Sequence, residues 1–254
     1  MGNLSTIGRL FYGIAVAATG IQTIYYGDFP YWLIPPRHGW IPGLALLAYI
    51  SGLALLLAGA CIVFEKKVRP VSLLLGGVLL FIFFFCYLPF EIVTDANIRY
   101  PVWHNAEKEL SFTTGAFIIA GLYAETNETW LIRFLGKLIP FASIVYALPL
   151  ISFGIIHLTQ AKDVSTMVPS WIPNPVFWTY FAGVALIGSG IAIILKVKLR
   201  LIATLLGIMV FTWFVILHIP RVFASPVAYL GSEITSAFLA LAYSGIAFVI
   251  AGKK

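Results

Sequence analysis

The chain has 254 residues, of which 61% are hydrophobic, 15% aromatic and only 10% charged. Soluble domains carry about a quarter of their residues as charges, so a soluble globular fold is excluded, as are a disordered chain and a disulfide-stapled secreted scaffold. At roughly 20 apolar residues per crossing, plus short connections, the length allows about eight membrane spans.

Apolar runs of the required length lie near 7–25, 41–63, 70–90, 107–125, 138–159, 176–195, 200–220 and 233–251. In lipid the backbone must satisfy its own hydrogen bonds, and none of these runs alternates as a barrel strand does. The expectation is an all-α integral membrane protein with eight transmembrane helices. The first run has Arg9 before it and Ala17, Ala18 and Gly20 at its close, as a cleaved signal peptide would; the internal repeat described below marks it instead as a retained structural helix.

Basic residues in the short connections set the orientation. One side carries eleven Lys or Arg, among them Arg9, Arg69, Lys137 and Lys198, against three acids, while the other carries five against seven acids. By the positive-inside rule both termini are cytoplasmic. The formal net charge of +6 is then a topology signal, with no basic patch that points to nucleic acid.

The second half of the chain repeats the first. Gly20 falls opposite Gly154 and Pro35 opposite Pro169; after a gap, Gly52 meets Gly183, Gly59 meets Gly190, Arg69 meets Arg200, Gly76 meets Gly207 and Pro89 meets Pro220. After a second gap Glu109 meets Glu233 and Gly121 meets Gly245. The expected organisation is two four-helix units, residues 1–130 and 131–254. An even number of helices per unit makes them parallel repeats, related by an axis along the membrane normal. The loops after the first helix of each unit are rich in Pro and Trp, as in Phe29-Pro30-Tyr31-Trp32 and Pro169-Ser170-Trp171. Each is either an interfacial anchor or a lid over a pocket.

All four histidines fall toward the outer side: His38 and His104 in loops, His157 and His218 near the outer ends of their spans. Glu109 and Glu233 begin the last span of each unit, and Arg221 follows His218 closely. Ionisable groups within a span face a cavity, a partner or a ligand, because burying them in lipid is costly. The positions matching His157, His218 and Arg221 in the first half are Thr23, Tyr87 and Phe90, so this polar set belongs to the second half alone. An Arg221–Glu233 ion pair closing two helix ends accounts for both of those residues without a ligand. A pocket accounts for the whole set: His157, His218 and Arg221 would be its catalytic residues, and Glu233, Glu109, Trp171 and Tyr87 its ligand-binding ones.

Such a pocket suits a quinone or another flat lipophile, whose carbonyls imidazole and guanidinium can reach and whose ring Trp and Tyr can cover. Two histidines on neighbouring spans also allow axial haem ligation, although no Cys-x-x-Cys-His run accompanies them. Zinc would want three or four ligands. Cys61 and Cys86 lie toward opposite ends of their spans, too far apart to pair, and there is no phosphate-binding loop, dinucleotide fingerprint or nucleophile elbow.

The run Trp103-His104-Asn105-Ala106-Glu107-Lys108-Glu109-Leu110 resembles the W-x-N-x-x-K-E-L signature before the last helix of bacterial DoxX-like membrane proteins. The four-helix unit, Gly154-x-x-His157 and His218-x-Pro220-Arg221 are similar to the same group, although the first half lacks both histidines. The resemblance implies a bacterial inner-membrane protein with a redox or quinone-linked role. Some members of the group resemble the membrane subunit of thiosulfate-to-quinone oxidoreductases, which implies a soluble or membrane redox subunit as partner. The rival from another class is a non-catalytic transporter or assembly scaffold whose polar residues only join helices.

Overall fold

Helices form where the apolar runs lie. The computed structural model describes residues 2–35, 42–94, 103–225 and 231–253. Among them the long helices are α1 (Asn3–Tyr26), α2 (Leu44–Val63), α3 (Val68–Ile82), α5 (Trp103–Ala120), α7 (Ile139–Thr159), α9 (Pro175–Leu195), α10 (Leu199–Trp213) and α12 (Ser232–Gly252). Four shorter ones, α4 (Leu88–Thr94), α6 (Trp130–Gly136), α8 (Ala161–Ser165) and α11 (Ile219–Ala224), extend or connect them. No strand occurs among the described residues. His38 and Arg37 lie outside the described residues.

The described helices include 7 that are long and apolar enough to cross a membrane, which makes this a multi-pass membrane protein. Of the eight expected runs, the one that forms α5 is not among them, because it holds Glu107, Lys108 and Glu109 within its 18 residues. Exposed apolar side chains such as Leu53 on α2, Phe84 beyond α3, Phe181 on α9 and Leu205 on α10 coat the outer faces, a surface that only lipid solvates well.

Two helices occupy the centre. Every residue from Ser111 to Ala120 of α5 is buried, and in α12 every residue from Leu239 to Ala251 except Tyr243. Around this pair the chain closes two rings that share the α5–α12 edge: α1, α2 and α3 complete one, and α7, α9 and α10 the other. The first helix of each half leans on the last helix of the other, α1 on α12 and α7 on α5, so the halves interlock.

Small residues allow these crossings, because in lipid helices associate by close contact rather than by a hydrophobic drive. A Cβ on Gly20 would come within 2.5 Å of the Gly52 carbonyl oxygen, and one on Gly154 within 2.7 Å of the Gly183 carbonyl oxygen. The aligned glycines thus mark the same crossing in both halves, α1 over α2 and α7 over α9.

Local backbone irregularities also recur. α3 runs through a single π-turn, Phe83–Tyr87, into α4, and α10 runs through Phe214–His218 into α11. Pro89 and Pro220 explain this: each lacks an N–H and crowds the carbonyl four residues back, and one extra residue in the turn relieves the clash. The Leu88 N–H then donates to the Phe83 carbonyl and the Ile219 N–H to the Phe214 carbonyl, each five residues back. Tyr87 and His218 end these π-turns at matching places.

The end of the bundle where α1 begins is held by charge. Arg9, only 4% exposed, donates to the carbonyls of Ile62 and Val63 at the end of α2 and pairs with Glu65 at 3.0 Å. Arg69 pairs with Glu128 and donates to the carbonyls of Ala120, at the end of α5, and Tyr123, just beyond it. Both guanidiniums satisfy carbonyls that a helix C-terminus leaves open. The Tyr123 hydroxyl donates to Glu65, and partial burial together with that carboxylate holds the phenol up at about 12. Cys61 and Cys86 are both free thiols.

Two substitutions test these contacts by thermal unfolding of detergent-solubilised protein. Gly154→Val, which forces α7 off α9, is expected to lose about 1–3 kcal/mol. Arg9→Met leaves two helix-end carbonyls without their donor and Glu65 without its cation, and is expected to lose roughly 1–3 kcal/mol.

Candidate functional site

The ring of α7, α9, α10, α12 and α5 encloses a cavity of about 420 Å³ at the end of the bundle opposite the Arg9 and Arg69 clusters. Its walls are largely apolar, with Leu150, Phe153, Leu186 and Leu239 among them. Its polar groups come from several elements: His157 of α7, His218 of the second π-turn, Lys108 and His104 of α5, Ser236 of α12, and Tyr31 from the loop after α1.

The polar groups are oriented by local contacts. The His157 Nδ1 lies 2.7 Å from the Phe153 carbonyl of its own helix; an N–H there donates to it and leaves Nε2 as the acceptor of a neutral ring. His218 has a buried Nδ1 with no hydrogen-bond partner, an unspent donor or acceptor at the cavity wall. The Lys108 ammonium donates to Asn105 Oδ1 at 3.1 Å and sits 4.9 Å from the centre of the Tyr31 ring. The Tyr31 hydroxyl is 3.2 Å from Ser236 Oγ, and burial pushes this phenol up, so it stays neutral. The Tyr243 hydroxyl donates to the Lys108 carbonyl at 3.3 Å.

The matching space in the first ring is filled. There Trp32, 1% exposed, lies against Phe112 with ring centroids 4.5 Å apart, and Tyr12 also lies against Phe112 with centroids 5.0 Å apart. Tyr87, fully buried, donates to the Tyr31 carbonyl. In the repeat alignment Trp32 becomes Thr166, Phe112 becomes Ser236 and Tyr87 becomes His218. Three large rings give way to two small hydroxyls and an imidazole. Close-packed interiors seldom leave a gap of this size, so the lost volume appears as a void. The first-half loop therefore acts as a plug, with Phe29, Trp32 and Leu33 buried, where a lid or an interfacial anchor was the expectation.

Of the expected site residues, His157 and His218 share the cavity wall. Arg221 and Glu233 are not among the residues that line it. They bind each other through two contacts, Nε to Oε2 at 2.8 Å and Nη2 to Oε1 at 2.6 Å, the helix-closing pair that needs no ligand. Glu109 is fully buried on α5; Thr113 donates to its Oε1 at 3.0 Å, and its Oε2 has no partner. With Phe90 where the second half has Arg221, no Lys or Arg among the described residues pairs with Glu109. Tyr87 belongs to the filled ring, and Trp171 is 69% exposed beside an outer groove rather than in the cavity.

Sequence reasoning missed Lys108, Tyr31, Trp178 and Trp213 as cavity residues. Lys108 carried a usable signal, a cation one turn into a buried helix, where such a charge is rare without a purpose. Tyr31 carried none, because it reaches the cavity only through the crossing of the two halves. Among the described residues no three His, Cys, Asp or Glu side chains converge on a point that could hold a metal ion.

No protein-family model matches the chain, and no curated protein or solved structure is significantly similar to it. The residues themselves therefore carry the functional reading.

The Arg221–Glu233 pair should behave as structure. With the Arg221 side chain 39% exposed, solvent screens the attraction. A double-mutant cycle with Arg221→Gln and Glu233→Gln, read by thermal unfolding, is expected to give a coupling of about 1 kcal/mol or less.

Proposed function

We propose that this chain is an eight-helix membrane protein that binds a carbonyl-bearing, quinone-like lipophile in the second-ring cavity. The single observation that carries this reading is an apolar void fringed by three imidazoles (His104, His157 and His218) and one ammonium, opened where the other half of the same scaffold is plugged by aromatic rings. In a low-dielectric site the Lys108 ammonium and a His218 N–H donate strongly to a carbonyl oxygen, and a flat ring can lie against Phe153, Trp178 and Trp213. α5 counts as the eighth inserted helix, since protein rather than lipid surrounds its buried stretch. The Lys and Arg bias puts both termini in the cytoplasm and the cavity beneath the outer leaflet of a bacterial inner membrane.

Lys108 and His218 take the role of hydrogen-bond donors, while His157, whose Nδ1–H is held by the Phe153 carbonyl, takes up a proton at Nε2 and passes it on. Reducing a quinone to its quinol takes up two electrons and two protons. The protons reach the carbonyl oxygens through these three side chains, and the electrons come from a soluble or membrane redox subunit, the partner implied by the likeness of the 103–110 run to DoxX-like proteins. The scaffold reading has one observation in its favour, the Arg221–Glu233 pair, which joins helix ends with no role for a ligand.

Quinones quench indole fluorescence, and Trp178 and Trp213 line the cavity. Titrating the protein in nanodiscs with decyl-benzoquinone is expected to give saturable quenching. Lys108→Gln and His218→Ala should each weaken binding about tenfold, the equivalent of about 1.4 kcal/mol. Ser236→Phe, which restores a ring at the Phe112-equivalent place, should abolish binding with the melting temperature retained. Equal affinity in all four proteins would reject the cavity, and loss of stability without change in binding would favour the scaffold.

A further inference from the structure

A second concavity lies on the outer face of the same half. Between α9 and α10 runs a groove of about 810 Å³, floored by Ala185, Gly188 and Ser189 of α9 and flanked by Leu205, Ile208 and Thr212 of α10. Leu205 is 53% and Ile208 50% exposed, so the groove opens on the lipid-facing surface. Along α10 and the π-turn that follows, it runs from Ile202 to Ile216, on the order of 20 Å at the 1.5 Å rise of a helix. That is the shape of an extended hydrocarbon chain lying along the membrane normal.

Three side chains, Trp178, Met209 and Trp213, line both this groove and the cavity behind it. The partition is thus made of side chains, two indoles and a flexible thioether, and side chains change rotamer far more readily than helices part. α9 packs chiefly on α7 and only lightly on α10, so the seam between α9 and α10 is the loosest wall of the ring.

Small residues on membrane helices ordinarily serve close crossings. Gly183 does so against α7, but a Cβ on Gly188 would meet nothing within 4 Å. The first half has Leu57 at the Gly188-equivalent place, and Leu47 and Ile82 where the second half has Trp178 and Trp213. Groove and cavity therefore occur together, in the same half: Gly188 in place of Leu57 opens the groove, Thr166 and Ser236 in place of Trp32 and Phe112 open the cavity, and two larger indoles stand between them.

We propose that the ligand loads sideways from the bilayer: its polar ring passes between Trp178 and Trp213 into the cavity, and its hydrocarbon tail stays in the α9–α10 groove. This rests on the cavity reading above and specifies its ligand as an amphiphile with a long apolar chain. The seam is then both the route of access and the subsite that favours tailed over tail-less compounds.

The test compares two probes in nanodiscs by fluorescence quenching: 2,3-dimethoxy-5-methyl-1,4-benzoquinone, which has no tail, and the same ring bearing a ten-carbon chain. Gly188→Phe fills the groove from a position with open space around it. It is expected to weaken binding of the tailed probe at least tenfold and to leave the tail-less probe within twofold of wild type. Thr212→Trp fills the same groove from an exposed site on α10 and should do the same, which guards against a folding defect peculiar to one variant. Wild-type affinity for the tailed probe in both folded variants overturns the lateral route while leaving the cavity standing. Failure of both probes to bind the wild-type protein overturns the cavity reading and the route together.

Discussion

The interlock between the halves is the constraint on which the rest depends. α1 and α12 touch backbone to backbone: a Cβ on Gly8 would fall 2.3 Å from the Gly245 carbonyl oxygen, and one on Gly245 2.6 Å from that of Gly8. With hydrophobic drive absent inside a bilayer, such contact is a main source of helix cohesion. It places α12 beside α1 as well as α10, and with α5 beside α7 it creates two rings with a common central wall. Tyr31, a residue of the first half, can line a cavity of the second half only because of this crossing.

A repeated scaffold makes each half a control for the other. The glycine crossings, the proline-driven π-turns and the central carboxylates Glu109 and Glu233 all recur, so differences in side-chain volume stand out against a constant backbone. The first ring spends its interior on Trp32, Phe112, Tyr12 and Tyr87. The second has a cavity at that place, lined by three imidazoles and an ammonium. Exchanging three rings for a cavity forfeits packing contacts within the bundle. A ligand bound there would offset that deficit by mass action.

Helix positions were legible from apolar periodicity to within a few residues, because lipid leaves the backbone almost no alternative to helix. The π-turns were not, although Pro89 and Pro220 signalled a local break; a proline in a helix permits a kink, a stop or a bulge. α5 read as a span by its apolar C-terminal part, while its charged start sets it apart from the other seven. At the site, His157 and His218 stood out as intramembrane imidazoles peculiar to one half. Arg221 and Glu233 drew the same attention for the same reason, yet twelve residues of separation brought them to each other rather than to the cavity. Trp178 and Trp213 were hidden in runs where aromatic residues are common, and only the ring geometry singles them out.

Interlocking also imposes an order on biogenesis. The α1–α2 hairpin leaves the ribosome early, but the surface of α1 around Gly8 that fits α12 stays without its mate until α12 is inserted. That interval is a window for wrong pairing that an in-line array of self-contained bundles would not have. The two rings can therefore close only once α12 has arrived.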